Sequence, residues 1–210
     1  MQRVAEVYGT LIDFRCRIVT KIIAEYSGNE SFIADGSAEL QFRRGYGLML
    51  SGETRGGPVP RVAYGLRLDR SGVVSVRVDV PGMEAWGHRE DMRDAIYELS
   101  GATSRAPVLA CSLLLGLQWR GESPWFPRGD LITAMSDTVK HVRTEKVDGT
   151  DCYVVSASYA SSVPTELWVR VSDYMVVRCE ETWSGKETGS RYAMTRKVYQ
   201  HRFEDIFHKQ

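Results

Sequence analysis

A strict alternation of apolar and polar residues between Arg61 and Val80 constrains the fold of this chain more than any other feature. Every second position is hydrophobic, in two runs divided by a turn: Val62, Tyr64, Leu66, Leu68, then Val74, Val76, Val78 and Val80. Because successive side chains of a strand point to opposite faces, each run predicts a strand with one buried face. This pattern is typical of antiparallel sheets, since strands of a parallel α/β sheet are apolar on both faces.

Further segments extend this pattern in both directions. An apolar stripe at helical spacing, beginning at Val4 and ending at Leu11, predicts a short N-terminal helix. A meander of three strands is predicted from Val147 to Trp183, closed by turns at Asp148-Gly149, at 161–164 and at Ser172-Asp173. The remaining predicted strands lie at 14–26, 37–43, 46–54, 137–146 and 190–207.

The segment from Val108 to Gly116 is apolar on every side. A helix without a polar face must be covered all round, so we expect the sheet to surround it. The strand pattern is predicted to stop at Pro81-Gly82, and residues 89–99 have the composition of an amphipathic helix. No linker or repeat divides the chain, so the prediction is one α+β domain, 1–210, with an open, curved antiparallel sheet wrapped around central helices.

Charge and cysteine content exclude several functions. The 27 basic and 27 acidic residues leave no net charge, which disfavours nucleic acid as a partner. No apolar run approaches the roughly 20 residues that span a bilayer, so membrane contact is expected to be peripheral at most. The four cysteines have no Cys-x-x-Cys spacing, and neither a metal nor a cofactor is predicted. A bond between Cys152 and Cys179 would have to cross an intervening strand, whereas Cys16 and Cys111 are left open between a disulfide and free thiols.

Catalytic patterns are weak. The best acid–base group is His88 with Glu90 and Asp91, at the start of the predicted helix, and a solvated face explains it better. His141, His201 and His208 lie in strand-like segments without metal-ligand spacing and are predicted to be at the surface. We therefore expect a protein that is not an enzyme.

A one-sided sheet around an apolar helix encloses either a packed core or a cavity for a hydrophobic guest. Burial of an acyl chain of about sixteen carbons contributes roughly 12 kcal/mol before opposing terms, enough to hold a lipid without a covalent bond. Candidate lining residues are chosen by the face on which they fall: Leu48, Leu50, Leu66, Leu68, Val76, Val78, Leu113, Leu114, Trp168 and Val176.

The meander carries a family resemblance. Val147-Asp148-Gly149 precedes a strand with Tyr153, and Leu167-Trp168-Val169 precedes Tyr174 to Arg178. This order resembles the C-terminal half of the LolA-like superfamily of periplasmic lipid and lipoprotein carriers, whose central segment is also similar to Ile96–Leu115 of this chain. The resemblance implies a half-barrel around helices, a periplasmic or cell-envelope location, and a signal peptide outside this numbering.

The resemblance implies binding of a lipid acyl chain or a lipoprotein anchor, for carriage or for sensing. The alternative is a partner-binding envelope sensor with a packed core, whose functional surface would include Trp125 and Phe126. In that case an envelope protein, rather than a lipid, would be the partner.

Overall fold

The computed structural model describes most of the chain, with gaps. The described residues are 1–26, 31–57, 60–81, 83–89, 95, 106–115, 118–119, 129–130, 135, 138–158, 164–185 and 194–210. The helices are α1 (Gln2–Thr10) and α2 (Ala106–Leu115). The strands are β1 (Asp13–Tyr26), β2 (Ser31–Arg43), β3 (Gly47–Gly56), β4 (Arg61–Leu68), β5 (Val74–Val80), β6 (Met83–Arg89), β7 (Gln118–Trp119), β8 (Gly129–Asp130), β9 (His141–Val147), β10 (Thr150–Ser158), β11 (Pro164–Arg170), β12 (Val176–Ser184) and β13 (Met194–Lys209).

Eleven of these strands form one antiparallel sheet. Their order is β6-β5-β4-β3-β2-β1-β13-β12-β11-β10-β9, and β7 pairs separately with β8. The sheet thus consists of an N-terminal meander and a C-terminal meander, which meet where the first strand pairs with the last. That pairing runs from Asp13 opposite Lys209 to Tyr26 opposite Met194. Among the described residues β6 and β9 are the edges, so the sheet is open and curved, as the sequence predicted.

Alternation assigns each strand an inner face, which packs with the helices, and an outer face. On β1 every second residue from Phe14 to Ala24 is buried, and Arg15 and Arg17 on the other face are exposed. Inner-face residues of both meanders share one apolar cluster with Val4 and Tyr8 of α1 and with described residues of α2. The helices therefore stabilise the sheet by covering apolar surface on one side.

The strand pattern does not stop at Pro81-Gly82 as the sequence predicted. Val80 pairs with Met83, and β6 continues the sheet to Arg89. A Pro-Gly pair marks a turn whether the next segment is a helix or a strand. Here the next segment is β6, which pairs with β5 as a hairpin. The helix predicted at 89–99 lies almost wholly outside the described residues.

The helix predicted around the apolar segment is confirmed as α2. Its sequence contains no charged residue, and residues 110–114 are buried. In the part of the chain that the structure describes, no helix has the length and hydropathy needed to cross a bilayer.

Candidate functional site on the inner face of the sheet

The structure brings nine of the ten predicted lining residues together on the inner face. Seven of them are at most 7% exposed and belong to the shared apolar cluster: Leu48, Leu50, Leu66, Val76, Leu113, Leu114 and Val176. Leu68 and Val78 are partly buried and pack against the same cluster. The predicted face was therefore the one that the helices cover.

Trp168 is not part of this group. It lies on the outer face in a small cluster with Cys152 and Val154. Its indole N–H donates to Glu145 at 2.6 Å, and the Arg178 guanidinium lies 4.4 Å from the ring centre. Along β11 Trp168 alternates with Glu166 and Arg170, whereas Leu167 and Val169 lie on the opposite face, so alternation places Trp168 on the outer face.

Helix α1 is joined to the C-terminal meander by a buried hydrogen bond. The Tyr8 hydroxyl accepts from the backbone N–H of Val176 at 3.3 Å. Burial raises the pKa of this hydroxyl, so it remains protonated at physiological pH. Because Val176 and Leu114 share the apolar cluster, this contact fixes α1 beside α2.

Further along the strands, the inner face carries a buried polar pair that the sequence did not predict. Thr20 of β1 and the Nδ1 atom of His201 of β13 lie 3.0 Å apart in a hydrogen bond. His201 is fully buried, and burial lowers its pKa to about 3, so the ring is neutral. The other ring nitrogen, Nε2, has no hydrogen-bond partner among the described residues. The prediction that His201 is at the surface was therefore wrong.

This half of the inner face combines polar groups with small residues. Glu181 and Thr165 are opposite each other in the register of β12 and β11, and both are almost completely buried. Gly52 of β3 faces Ala38 of β2 so closely that an added Cβ would lie 2.6 Å from the alanine Cβ. Further small residues of this region are Ala24, Ala34, Gly36 and Ala157. The inner face thus changes from large apolar side chains at one end to small and polar ones at the other.

The cysteines and the acid–base side chains of the described residues do not form a reactive site. All four cysteines are free and buried, and burial raises the pKa of each thiol, that of Cys16 to about 12. Protonated, buried thiols are poor nucleophiles. No group of histidine, cysteine or carboxylate side chains suited to a metal occurs in the described ranges. Trp125, Phe126, Glu90 and Asp91 lie outside those ranges; His88 lies within β6.

Comparison with known proteins gives structural matches only. No family model and no curated protein matches the sequence. A DUF1329 family protein from Desulfovibrio piger shares 13% identity over 99% of this chain and 91% of its own, with a TM-score of 0.37. A domain described as an outer membrane lipoprotein-sorting protein from Vibrio parahaemolyticus shares 14% identity over 100% and 90%, with a TM-score of 0.35.

A third solved structure is a LolA superfamily protein from Nitrosomonas europaea. It shares 9% identity over 100% of this chain and 91% of its own, with a TM-score of 0.29. The printed name of this third structure is that of the superfamily which the motifs of the C-terminal meander resemble.

Proposed function

We propose that this protein binds an acyl chain, of a lipid or of a lipoprotein anchor, on the inner face of its sheet, without catalysis. Carriage or sensing in the cell envelope would be its role. The observation that carries the proposal is the pairing of two apolar surfaces: an inner face that is hydrophobic across both meanders, and a covering helix, α2, without a charged residue.

The chemistry of α2 explains why an acyl chain suits this position. Because α2 has no charged residue, every side of this helix needs apolar cover. Leu113 and Leu114 contribute branched hydrocarbon to the inner face. An acyl chain offers the same kind of contact, so it can replace these side chains at little cost in contact energy.

The polar half of the inner face supports the same proposal. A fatty ester or acid carries one oxygen-rich end, and burial of that end is costly unless it forms hydrogen bonds. The Nε2 atom of His201 is buried without a partner in the part of the chain that the structure describes, and it donates or accepts according to the tautomer that Thr20 selects. It therefore offers a place for that oxygen-rich end beside the apolar surface.

Lipid binding is tested on freshly purified protein. Native mass spectrometry should detect a bound fatty acid or phospholipid, and a fluorescent fatty acid should bind to the delipidated protein. Leu113→Gln, which places an amide among buried side chains, should weaken probe binding by about tenfold. Ile33→Gln makes the same change at a position that is 55% exposed on the outer face, and it should leave affinity unchanged.

A fold defect is separated from a binding defect by Val78→Thr. Val78 is half-buried, and threonine has nearly the same shape as valine but carries a hydroxyl in place of a methyl group. The substitution should preserve β5 and weaken binding of the fluorescent fatty acid by a smaller factor than Leu113→Gln does. Repeated absence of bound lipid, together with no probe binding by the unmutated protein, would contradict the proposal.

The partner-binding alternative is favoured by one observation. Seven predicted lining residues are at most 7% exposed, as expected for a core filled by its own side chains. In that case the fatty acid probe should not bind. Trp125→Ala and Phe126→Ala should then abolish capture of an envelope protein in a pull-down.

A further inference from the structure

A groove of about 640 Å³ lies at the end of the sheet where β1 begins and β13 ends. Its charged lining consists of four arginines and two aspartates: Arg15, Arg43, Arg67, Arg70, Asp13 and Asp69. Register explains the convergence, because Asp13 pairs with Arg43, and Leu48 pairs with Leu68 just before the β4–β5 turn. We call the four arginines the basic rim.

The two aspartates of the groove are already occupied. Asp13 forms an ion pair with Arg15 at 3.2 Å. Asp69 accepts from the Ser71 hydroxyl at 2.6 Å and from two backbone N–H groups of its own turn. Arg43, Arg67 and Arg70 form no ion pair with any described residue. Four arginines against two aspartates leave the groove with an excess of positive charge, although the chain as a whole is neutral.

Exposed hydrophobic side chains gather around the same groove. Of the eight large ones in the described ranges, five lie at this end, each 45–57% exposed: Ile12, Tyr46, Met49, Val73 and Phe207. The Tyr46 ring lies between two guanidinium groups, 4.5 Å from that of Arg43 and 5.6 Å from that of Arg70. Phe207 pairs with Arg15 across β1 and β13, with the Arg15 guanidinium 5.7 Å from its ring. Aromatic and basic side chains thus alternate along one end of the molecule.

We infer that this end of the sheet docks on the surface of a membrane that contains anionic phospholipids. Arginine is attracted to the negative surface potential and pairs with phosphate in a bidentate manner. Aromatic rings settle at the headgroup level of a bilayer, where one edge is apolar and the other wet. Neither signal alone anchors a protein firmly, but together they supply the two contributions that reversible attachment requires. The inference does not depend on an acyl chain on the inner face.

Vesicle sedimentation tests this inference. The full chain should bind vesicles of phosphatidylcholine with phosphatidylglycerol, bind pure phosphatidylcholine vesicles weakly, and dissociate as sodium chloride is added. The double variant Arg43→Gln, Arg70→Gln should lower the partition coefficient by about 25-fold, about fivefold for each charge removed. Tyr46→Ser should lower it as well, without a change in salt dependence.

The matched control is Arg55→Gln with Arg61→Gln. These arginines lie at the opposite end of β3 and β4, are more than half exposed, and both pair with Glu53. Since each double variant replaces two arginines, both remove the same charge from the protein. It should bind like the unmutated chain. Equal loss in both double variants, or equal binding to neutral and anionic vesicles, would overturn the inference. Inorganic phosphate that displaced the protein more strongly than sodium chloride at the same ionic strength would indicate a site for free phosphate and would overturn it too.

Uptake of the fluorescent fatty acid separates this test from that of the proposed function. The Arg43→Gln, Arg70→Gln variant should take up the probe normally while it fails to sediment with vesicles. If no variant takes up the probe, sedimentation of the unmutated chain still decides the membrane inference.

Discussion

His201 shows how strongly one residue depends on its position in the sheet. Its ring is enclosed between β1 and β12, with Thr20 and Cys179 as its register partners. Because the charged form would have to leave water for an apolar surrounding, the folded protein holds this histidine neutral. The imidazole is thus a hydrogen-bonding group, and its charge is absent over the physiological pH range.

The pH dependence of stability follows from this burial. The folded pKa, about 3, lies below the ordinary value of 6.5, so between these values the unfolded chain binds a proton that the folded chain does not. The free energy of unfolding should therefore be complete above about pH 6.5 and fall as the pH is lowered through that window. His201→Gln should remove this contribution, which urea unfolding followed by tryptophan fluorescence measures. An identical pH slope in both proteins would contradict the account.

The elements are held together by contacts between segments distant in sequence, and α1 is the clearest case. Tyr8→Phe should leave the Val176 N–H buried without its acceptor, which costs about 1–3 kcal/mol of unfolding free energy. Hydrogen exchange at Val176 should accelerate relative to neighbouring amides of β12. Tyr46→Phe is the control, because that hydroxyl is exposed and its loss should have no measurable effect.

Local patterns predicted the strands well. The alternation from Arg61 to Val80 corresponds to β4 and β5, since period-two burial is a property of each strand by itself. α1 and α2 were predictable for a similar reason, because their apolar positions are close together in sequence.

The errors concern burial that other strands decide. His201 forms a hydrogen bond with Thr20, which is 181 residues away from it in sequence, and no local pattern indicates that the two residues meet. Trp168 alternates with Glu166 and Arg170 along β11, and its burial on the outer face comes from Cys152 and Val154 of the neighbouring strand β10. Arg170 forms a two-pronged ion pair with Asp173 at 2.8 and 2.6 Å, which no local pattern indicates.

At the scale of the whole molecule, the four cysteines report on the integrity of packing on both faces of the sheet, three in the shared apolar cluster and Cys152 in the outer-face cluster. They are distributed over β1, α2, β10 and β12, and each is free and buried. A thiol reagent such as Ellman's reagent should react very slowly with the native protein. In denaturant it should react with all four thiols. A reducing agent should not change the midpoint of thermal unfolding. Rapid reaction of one thiol in the native protein would show that its part of the core opens.

The pairing of the first strand with the last has a consequence for biosynthesis. β1 pairs on one side with β2, its neighbour in sequence, but its other side receives β13 only after the intervening strands have been made. Until then the incomplete sheet presents a fourteen-residue strand with a bare backbone edge, a template for mispairing. The centre of the finished sheet is therefore completed late, and this edge is open to aggregation until β13 pairs with it.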